Sequence, residues 1–274
     1  MPLILALLSL LLVAGATPTS TFSIWPHQVP GQNESKAPHV IVKKPHGLRI
    51  GKVTNPTLDV YEPTKPNGIG LIICPGGGYV HLADKKEGHD VAEHYRKLGY
   101  TCFVLTYRIP RNQQGALQDA QRSLRFVRAN TAKWQLSHIG IMGFSAGGSL
   151  SARLATQFEN PLYPEQDERD VVSARPDFVG LIYPAYLDQG PGKSLTPELT
   201  LSENTPPMFL YVAADDSFAN STIVMTQALA QQKIPYETHI LPKGGHGFGM
   251  LPGKRASETW PALLHHWIQE TCQK

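Results

Sequence analysis

Residues 139–148 constrain this chain more than any other stretch. The apolar run from Ile139 to Met142 predicts a short buried strand that stops at Gly143, and a helical pattern occupies 149–158. Ser145 stands at the apex between them. A strand and a helix joined through so short a turn approach closely. The residues two before and two after the apex then have no room for side chains, and Gly143 and Gly147 meet that demand. Gly143-Phe144-Ser145-Ala146-Gly147 fits the G-x-S-x-G nucleophile elbow. Such a turn lifts the serine hydroxyl out at the carboxyl end of a sheet and aims the first helical amides at the same place. The motif is short, so its meaning depends on whether a base, an acid and further amide donors arrive from other elements.

The rest of the chain repeats the strand-then-helix pattern. Strands are expected at 68–74, 101–107, 178–183, 207–213 and 236–241, with helices at 87–98, 117–134, 221–232 and 256–270. Residues 48–53 and 57–61 are read as two short strands forming an antiparallel pair, with an edge strand at 39–42. Continuous apolar strands alternating with amphipathic helices predict the α/β class. The expected architecture is a mostly parallel central sheet of about eight strands with helices on both faces. The irregular stretches 160–176 and 187–206 are expected to be lids or binding loops.

Residues 1–16 differ in character from the rest of the chain. Leu3 to Val13 is nearly all aliphatic, and Ala14-Gly15-Ala16 has the small-x-small form of a signal-peptidase site. The expected organisation is a signal peptide at 1–16, an extended N-terminal arm at 17–46 and a catalytic domain at 47–274, with a secreted or periplasmic location. The apolar run is too short for a comfortable membrane span and no second one exists, so no stable membrane anchor is expected. A net charge of +3 without a dense basic block leaves no electrostatic footprint for nucleic acid. Three cysteines do not make a disulfide scaffold. Cys74 ends one expected strand and Cys102 begins the next, so both are read as buried thiols too far apart to bridge. His89 and His94 are five apart rather than four, which misses the H-E-x-x-H metal spacing. No metal and no cofactor are expected.

A serine hydroxyl needs a base that can take its proton and return it. Among 11 histidines, His246 sits in a glycine-rich loop, 243–249, directly after the last expected strand. That position is at the same end of the sheet as Ser145. An acid should orient the histidine, and Asp215 or Asp216 comes after the 207–213 strand at that end. The order Ser145, then Asp215 or Asp216, then His246 is the chain order of the α/β-hydrolase triad. An oxyanion needs amide donors. Ala146 is next to the nucleophile, and the loop Pro75-Gly76-Gly77-Gly78-Tyr79 is placed to supply others.

With these motifs assembled, the chain resembles the α/β-hydrolase esterases of the acetylxylan-esterase and feruloyl-esterase-like (BD-FAE) group, some of which are labelled as xylanases. The resemblance rests on Ile24-Trp25-Pro26, Ile72 to Tyr79, Glu87-Gly88-His89-Asp90, Tyr107-Arg108, Asp119 to Arg122, Met142 to Gly148, Arg175 to Phe178, Thr205-Pro206-Pro207, Ala214-Asp215-Asp216 and Lys243 to Gly249. It implies the α/β-hydrolase fold and a serine esterase with Ser145, Asp216 and His246 as catalytic residues. It also implies that Gly77, Gly78 and Ala146 form the oxyanion hole. Asp215 is then expected to cap the turn into the following helix. Ser217 to Asn220 stand where that group carries a Pro-Val-Val-Pro-like stretch. The aromatic neighbours of the motifs, Tyr79, Phe144 and Phe248, are the expected substrate contacts. The implied substrate is a small-molecule or polysaccharide ester such as acetylated xylan. A peptidase or lipase on the same fold, or a non-catalytic carbohydrate-binding protein on a hydrolase scaffold, is the alternative.

Overall fold

A computed structural model describes residues 17–44 and 47–273, so the expected signal peptide at 1–16 lies outside the described residues. Among the described residues ten strands form, in chain order: β1 (Ser20–Ser23), β2 (Val40–Lys44), β3 (Gly47–Lys52), β4 (Thr57–Tyr61), β5 (Ile69–Cys74), β6 (Thr101–Thr106), β7 (His138–Phe144), β8 (Val179–Ile182), β9 (Met208–Ala213) and β10 (Tyr236–Leu241). Eight of them make the central sheet in the order β1-β4-β6-β5-β7-β8-β9-β10. From β6 to β10 every neighbouring pair is parallel, and β4 joins β6 antiparallel. The helices are α1 (Asp90–Lys97), α2 (Gln113–Ala129), α3 (Thr131–Trp134), α4 (Ala146–Gln157), α5 (Ala219–Gln231) and α6 (Arg255–Cys272).

Side-chain alternation along the parallel strands feeds two cores. Ile72, Phe103 and Leu105 face Leu124, Leu150 and Leu229 from α2, α4 and α5. Leu71, Ile73 and Val104 face Tyr95, Trp260 and Leu264 from α1 and α6. Cys74 and Cys102 are buried and unpaired, one in each core, and burial pushes the Cys74 thiol up to about 12.

Several expectations change at the amino-terminal end. β3 and β4 do not pair: β3 forms a separate two-stranded sheet with β2, while β4 lies inside the central sheet between β1 and β6. Four of the five β4 residues are buried, which an edge hairpin could not provide. The expected arm contributes to both sheets: β2 pairs with β3, and β1 joins the main sheet by pairing with β4. The arm is pinned by buried charge. Trp25 Nε1 donates to Asp119 Oδ1 at 2.7 Å, and Arg122 Nε donates to the Ile24 carbonyl at 2.9 Å. Arg108 and Asp119 form a buried ion pair at 2.9 Å. Burial pushes the Asp119 carboxyl above its ordinary value, opposed by the Arg108 guanidinium.

The helix expected at 117–134 begins earlier and breaks earlier. Asn112 caps it by accepting from Gly115 N at 2.9 Å, and Asn130 separates α2 from α3. The helix expected at 87–98 is a π-helical turn, Lys85–His89, running into α1.

Candidate active site

β7 ends at Phe144 and α4 starts at Ala146, leaving Ser145 alone at the turn with φ 53° and ψ −116°. A side chain in this region is strained, and such strain persists only where the surroundings over-determine it. Here Ser145 N donates to the Ile182 carbonyl at 3.1 Å, and the Ser145 carbonyl accepts from Ser149 N and Ala185 N at 3.0 Å each. A Cβ on Gly143 would lie 2.0 Å from the Gly147 carbonyl oxygen, and one on Gly147 would lie 2.0 Å from that of Cys74. Both glycines are thus required by the closeness of strand, helix and neighbouring loop.

The structure brings Ser145, His246 and Asp216 together. His246 Nε2 is 2.8 Å from Ser145 Oγ, and His246 Nδ1 is 2.7 Å from Asp216 Oδ2. A carboxylate only accepts, so Nδ1 carries the proton toward Asp216 and Nε2 is left to accept from the serine hydroxyl. The Asp216 side chain is wholly buried, while the His246 side chain is 29% exposed and faces the cavity. Asp216 Oδ1 accepts from Phe218 N at 2.8 Å, which fixes the carboxylate plane. Asp215 takes a role other than the expected helix cap. Its Oδ1 accepts from Gly244 N at 2.9 Å and Gly245 N at 2.8 Å, so it braces the loop that carries His246. The two adjacent aspartates diverge because the chain leaves β9 in a tight turn. One carboxylate turns inward and its neighbour points across to the next loop.

The glycine loop after β5 passes over the elbow. A Cβ on Gly76 would come within 2.6 Å of the Phe144 carbonyl oxygen and 2.9 Å of Ser145 Cβ. Gly77 and Gly78 have φ values of 138° and 65°, conformations that glycine adopts without penalty. Among the described residues, the backbone N–H groups of Gly77, Gly78 and Ala146 have no protein acceptor. Gly77 and Gly78 border the same cavity as Ser145 and His246, and Ala146 is in the first turn of α4.

That cavity measures about 480 Å³ and opens over Ser145. Tyr186 and Phe218 line it on the side of His246, Lys44, Arg49 and Lys86 place cations on its border, and His81 and Glu87 also line it. Burial, with Lys44 and Arg49 nearby, holds His81 below its ordinary value of 6.5. The three aromatic residues expected to touch substrate lie elsewhere. Tyr79 is 2% exposed and stacks behind Tyr186 at 6.4 Å between ring centroids. Phe144 points to the opposite side of the sheet against Trp260, at 5.4 Å, because strand alternation sends the residue before the apex downward. Phe248 is fully buried against Tyr183 at 4.4 Å and anchors the histidine loop. The loops 160–176 and 187–206 also contribute nothing to the cavity lining; Asp167 and Asp170 of the first are bound to Arg122. Sequence reasoning missed Tyr186 and Phe218 as wall residues. Phe218 was detectable only as part of Ser217 to Asn220, the stretch where the family resemblance lapses. Among the described residues, no three His, Cys, Asp or Glu side chains converge as metal ligands, and no helix is long and apolar enough to cross a membrane.

Comparison with known proteins agrees with this architecture. Residues 58–180 match the BD-FAE family model. The chain is 31% identical over 210 residues to endo-1,4-beta-xylanase B of Butyrivibrio fibrisolvens, aligning 65% of this chain with 32% of that protein. It is 31% identical over 227 residues to an acetylxylan esterase of Xylanibacter ruminicola, aligning 76% of this chain with 47% of that one. The chain thus spans less than half the length of these two relatives. The crystal structure of an acetyl ester-xyloside bifunctional hydrolase from Caldicellulosiruptor lactoaceticus superimposes with a TM-score of 0.75 at 27% identity, covering 94% of this chain and 98% of that one. The sheet order, the elbow and these matches together make the chain an α/β-hydrolase-fold protein whose residues 58–180 match the BD-FAE model and which is similar to the acetylxylan-esterase group.

Proposed function

We propose that this protein hydrolyses carboxylic esters through an acyl-enzyme on Ser145. The observation that carries the proposal is the continuous relay from Asp216 through His246 to Ser145, at 2.7 Å and 2.8 Å, beside three amides with no acceptor among the described residues. Ser145 Oγ attacks the ester carbonyl carbon as His246 Nε2 takes its proton. The carbonyl oxygen becomes an oxyanion, and the N–H groups of Gly77, Gly78 and Ala146 are its donors. Collapse of the tetrahedral species breaks the bond to the alcohol oxygen, which receives the proton from His246. Water, deprotonated by the same imidazole, then attacks the acyl carbon and releases the acid and free Ser145. Buried Asp216 stabilises the imidazolium in both halves.

The substrate class is inferred from the relatives named acetylxylan esterase and acetyl ester-xyloside hydrolase, together with the open, polar-bordered cavity. Acetyl groups on a xylan-type polysaccharide are the proposed substrate, with Tyr186 and Phe218 packing against a sugar face. Acetate release from acetylated xylan, alongside short nitrophenyl esters, tests this. Ser145→Ala should lower turnover by at least about a thousandfold in a folded protein and abolish labelling by a fluorophosphonate. Near-wild-type turnover in that variant refutes the mechanism. Secretion is proposed on the aliphatic stretch from Leu3 to Val13 and the Ala14-Gly15-Ala16 site. Amino-terminal sequencing of exported protein should then read from near Thr17, and an intact Met1 would contradict it.

A further inference from the structure

Glu87 takes no part in the relay, yet it joins the two loops that the relay depends on. It is 3% exposed, and both carboxylate oxygens are turned to protein groups. Oε2 accepts from Gly76 N, in the glycine loop, at 2.9 Å. Oε1 accepts from the Tyr183 hydroxyl at 3.1 Å and is 3.2 Å from Lys86 Nζ. The Tyr183 oxygen in turn accepts from Gly249 N, in the histidine loop, at 2.8 Å. An unbroken chain of bonds therefore runs from Gly76 through Glu87 and Tyr183 to Gly249. Lys86 adds two parallel ties to the histidine loop. Its carbonyl accepts from Met250 N at 3.0 Å, and its ammonium donates to the Gly247 carbonyl. We propose that Glu87, acting through Tyr183, is a positioning residue that holds the oxyanion loop and the histidine loop in one fixed geometry over Ser145. The proposal rests on the ester-hydrolase reading above.

Local structure explains how Glu87 reaches both loops. It lies in the π-helical turn Lys85–His89, and such turns re-aim side chains and recur at functional sites. Gly88 lets this turn sit against the sheet, since a Cβ there would lie 2.9 Å from Val104 Cγ1 and 3.2 Å from Pro75 Cγ. A carboxylate suits this nearly buried position because an amide and a phenol each donate to one of its two oxygens. Burial pushes Tyr183 well above its ordinary value, so the phenol keeps the proton it donates to Glu87. A glutamine there has one acceptor oxygen, and its amide group must face one of the two donors.

The oxyanion donors and His246 are needed together only in the transition state, so loosening this link should lower kcat and spare KM. The test measures kcat per active site, counted by fluorophosphonate titration, in wild type, E87Q, Y183F and the double variant, with Ser145→Ala as control. Each single variant is expected to lose about tenfold or more in kcat with KM within about threefold, since small misplacements of catalytic groups are costly. The double variant should be within about threefold of the worse single one, because both cut the same link. A purely structural role would lower the melting temperature and the titratable fraction while leaving kcat per site intact. Values of kcat per site within about twofold of wild type in Y183F, or losses that multiply in the double variant, overturn the proposal. If E87Q does not fold, Y183F decides alone, since it removes a single oxygen. Turnover surviving in Ser145→Ala would overturn the ester-hydrolase reading itself and, with it, a positioning role over Ser145, whereas the ratios above overturn only the positioning role.

Discussion

Replacing each of the two adjacent aspartates by asparagine separates the relay from its scaffold. Asp216 is buried and holds His246 Nδ1 at 2.7 Å. In the proposed mechanism, Asp216→Asn deprives the imidazolium formed during attack of the carboxylate that stabilises it. If the amide nitrogen faces Nδ1, the ring must also move its proton to Nε2, where it can no longer accept from Ser145. Loss of the acid in triads of this type costs about 10⁴ in kcat, so a fall of about 10³ to 10⁴ is expected. That corresponds to roughly 4 to 5.5 kcal/mol of transition-state stabilisation at about 1.36 kcal/mol per decade. Asp215→Asn keeps an acceptor oxygen for Gly244 N and Gly245 N, which lie 2.9 Å and 2.8 Å away. It loses only charge assistance at an exposed site, so kcat should fall by less than about tenfold. Asp215→Ala removes both bonds and should cost more than Asp215→Asn while remaining far more active than Asp216→Asn. The assay is steady-state hydrolysis of a short nitrophenyl ester, with circular dichroism to show that each variant is folded. A dead Asp215→Asn beside an active Asp216→Asn would refute the assignment. So would an Asp216→Asn enzyme that keeps more than about a tenth of wild-type kcat.

Geometry and burial give two further outcomes. Gly76→Ala should cut kcat about a hundredfold, because the new Cβ would meet the Phe144 carbonyl oxygen at 2.6 Å, Glu87 Oε2 at 2.8 Å and Ser145 Cβ at 2.9 Å, and the glycine loop must shift; unchanged kinetics would show that the loop yields freely. Burial, with Lys97 and His265 beside it, holds His94 below its ordinary value of 6.5. The unfolded chain therefore binds that proton more readily, and stability is full above 6.5 and declines as the pH falls below it. His94→Gln should lose less melting temperature than wild type between about pH 7.5 and about pH 5, and equal losses would assign the acid sensitivity to other groups.

Local sequence carried the repeating architecture and the ends of the sheet. The 68–74 and 139–142 runs are continuous and apolar because their strands are buried on both faces, and both lie in the middle of the sheet. The elbow was legible because its glycines answer a local steric demand. The histidine loop was legible because it is glycine-rich and comes directly after the last strand. Partnership of strands was less legible. β1 carries a single apolar residue, Phe22, and nothing within 57–61 says whether its neighbour is 48–53 or the distant β6.

The sequence by itself determined the chemistry available: one elbow serine, a histidine loop and an aspartate pair, in triad order. Only the tertiary structure decided which atoms meet. Ser145 and His246 are 101 residues apart, and their contact is a property of strand order rather than of either motif. The division of labour between Asp215 and Asp216 depends on one turn after β9 and on where the next loop passes. Tyr79, Phe144 and Phe248 were aromatic neighbours of the motifs in sequence, yet they support the site from behind, because large apolar rings gain more by joining the core than by lining a wet cavity. Glu87 had no chemical signature beyond its place in a family motif. Its two oxygens acquire their meaning from Gly76 and Tyr183, 11 and 96 residues away, and such convergence exists only once the chain has folded.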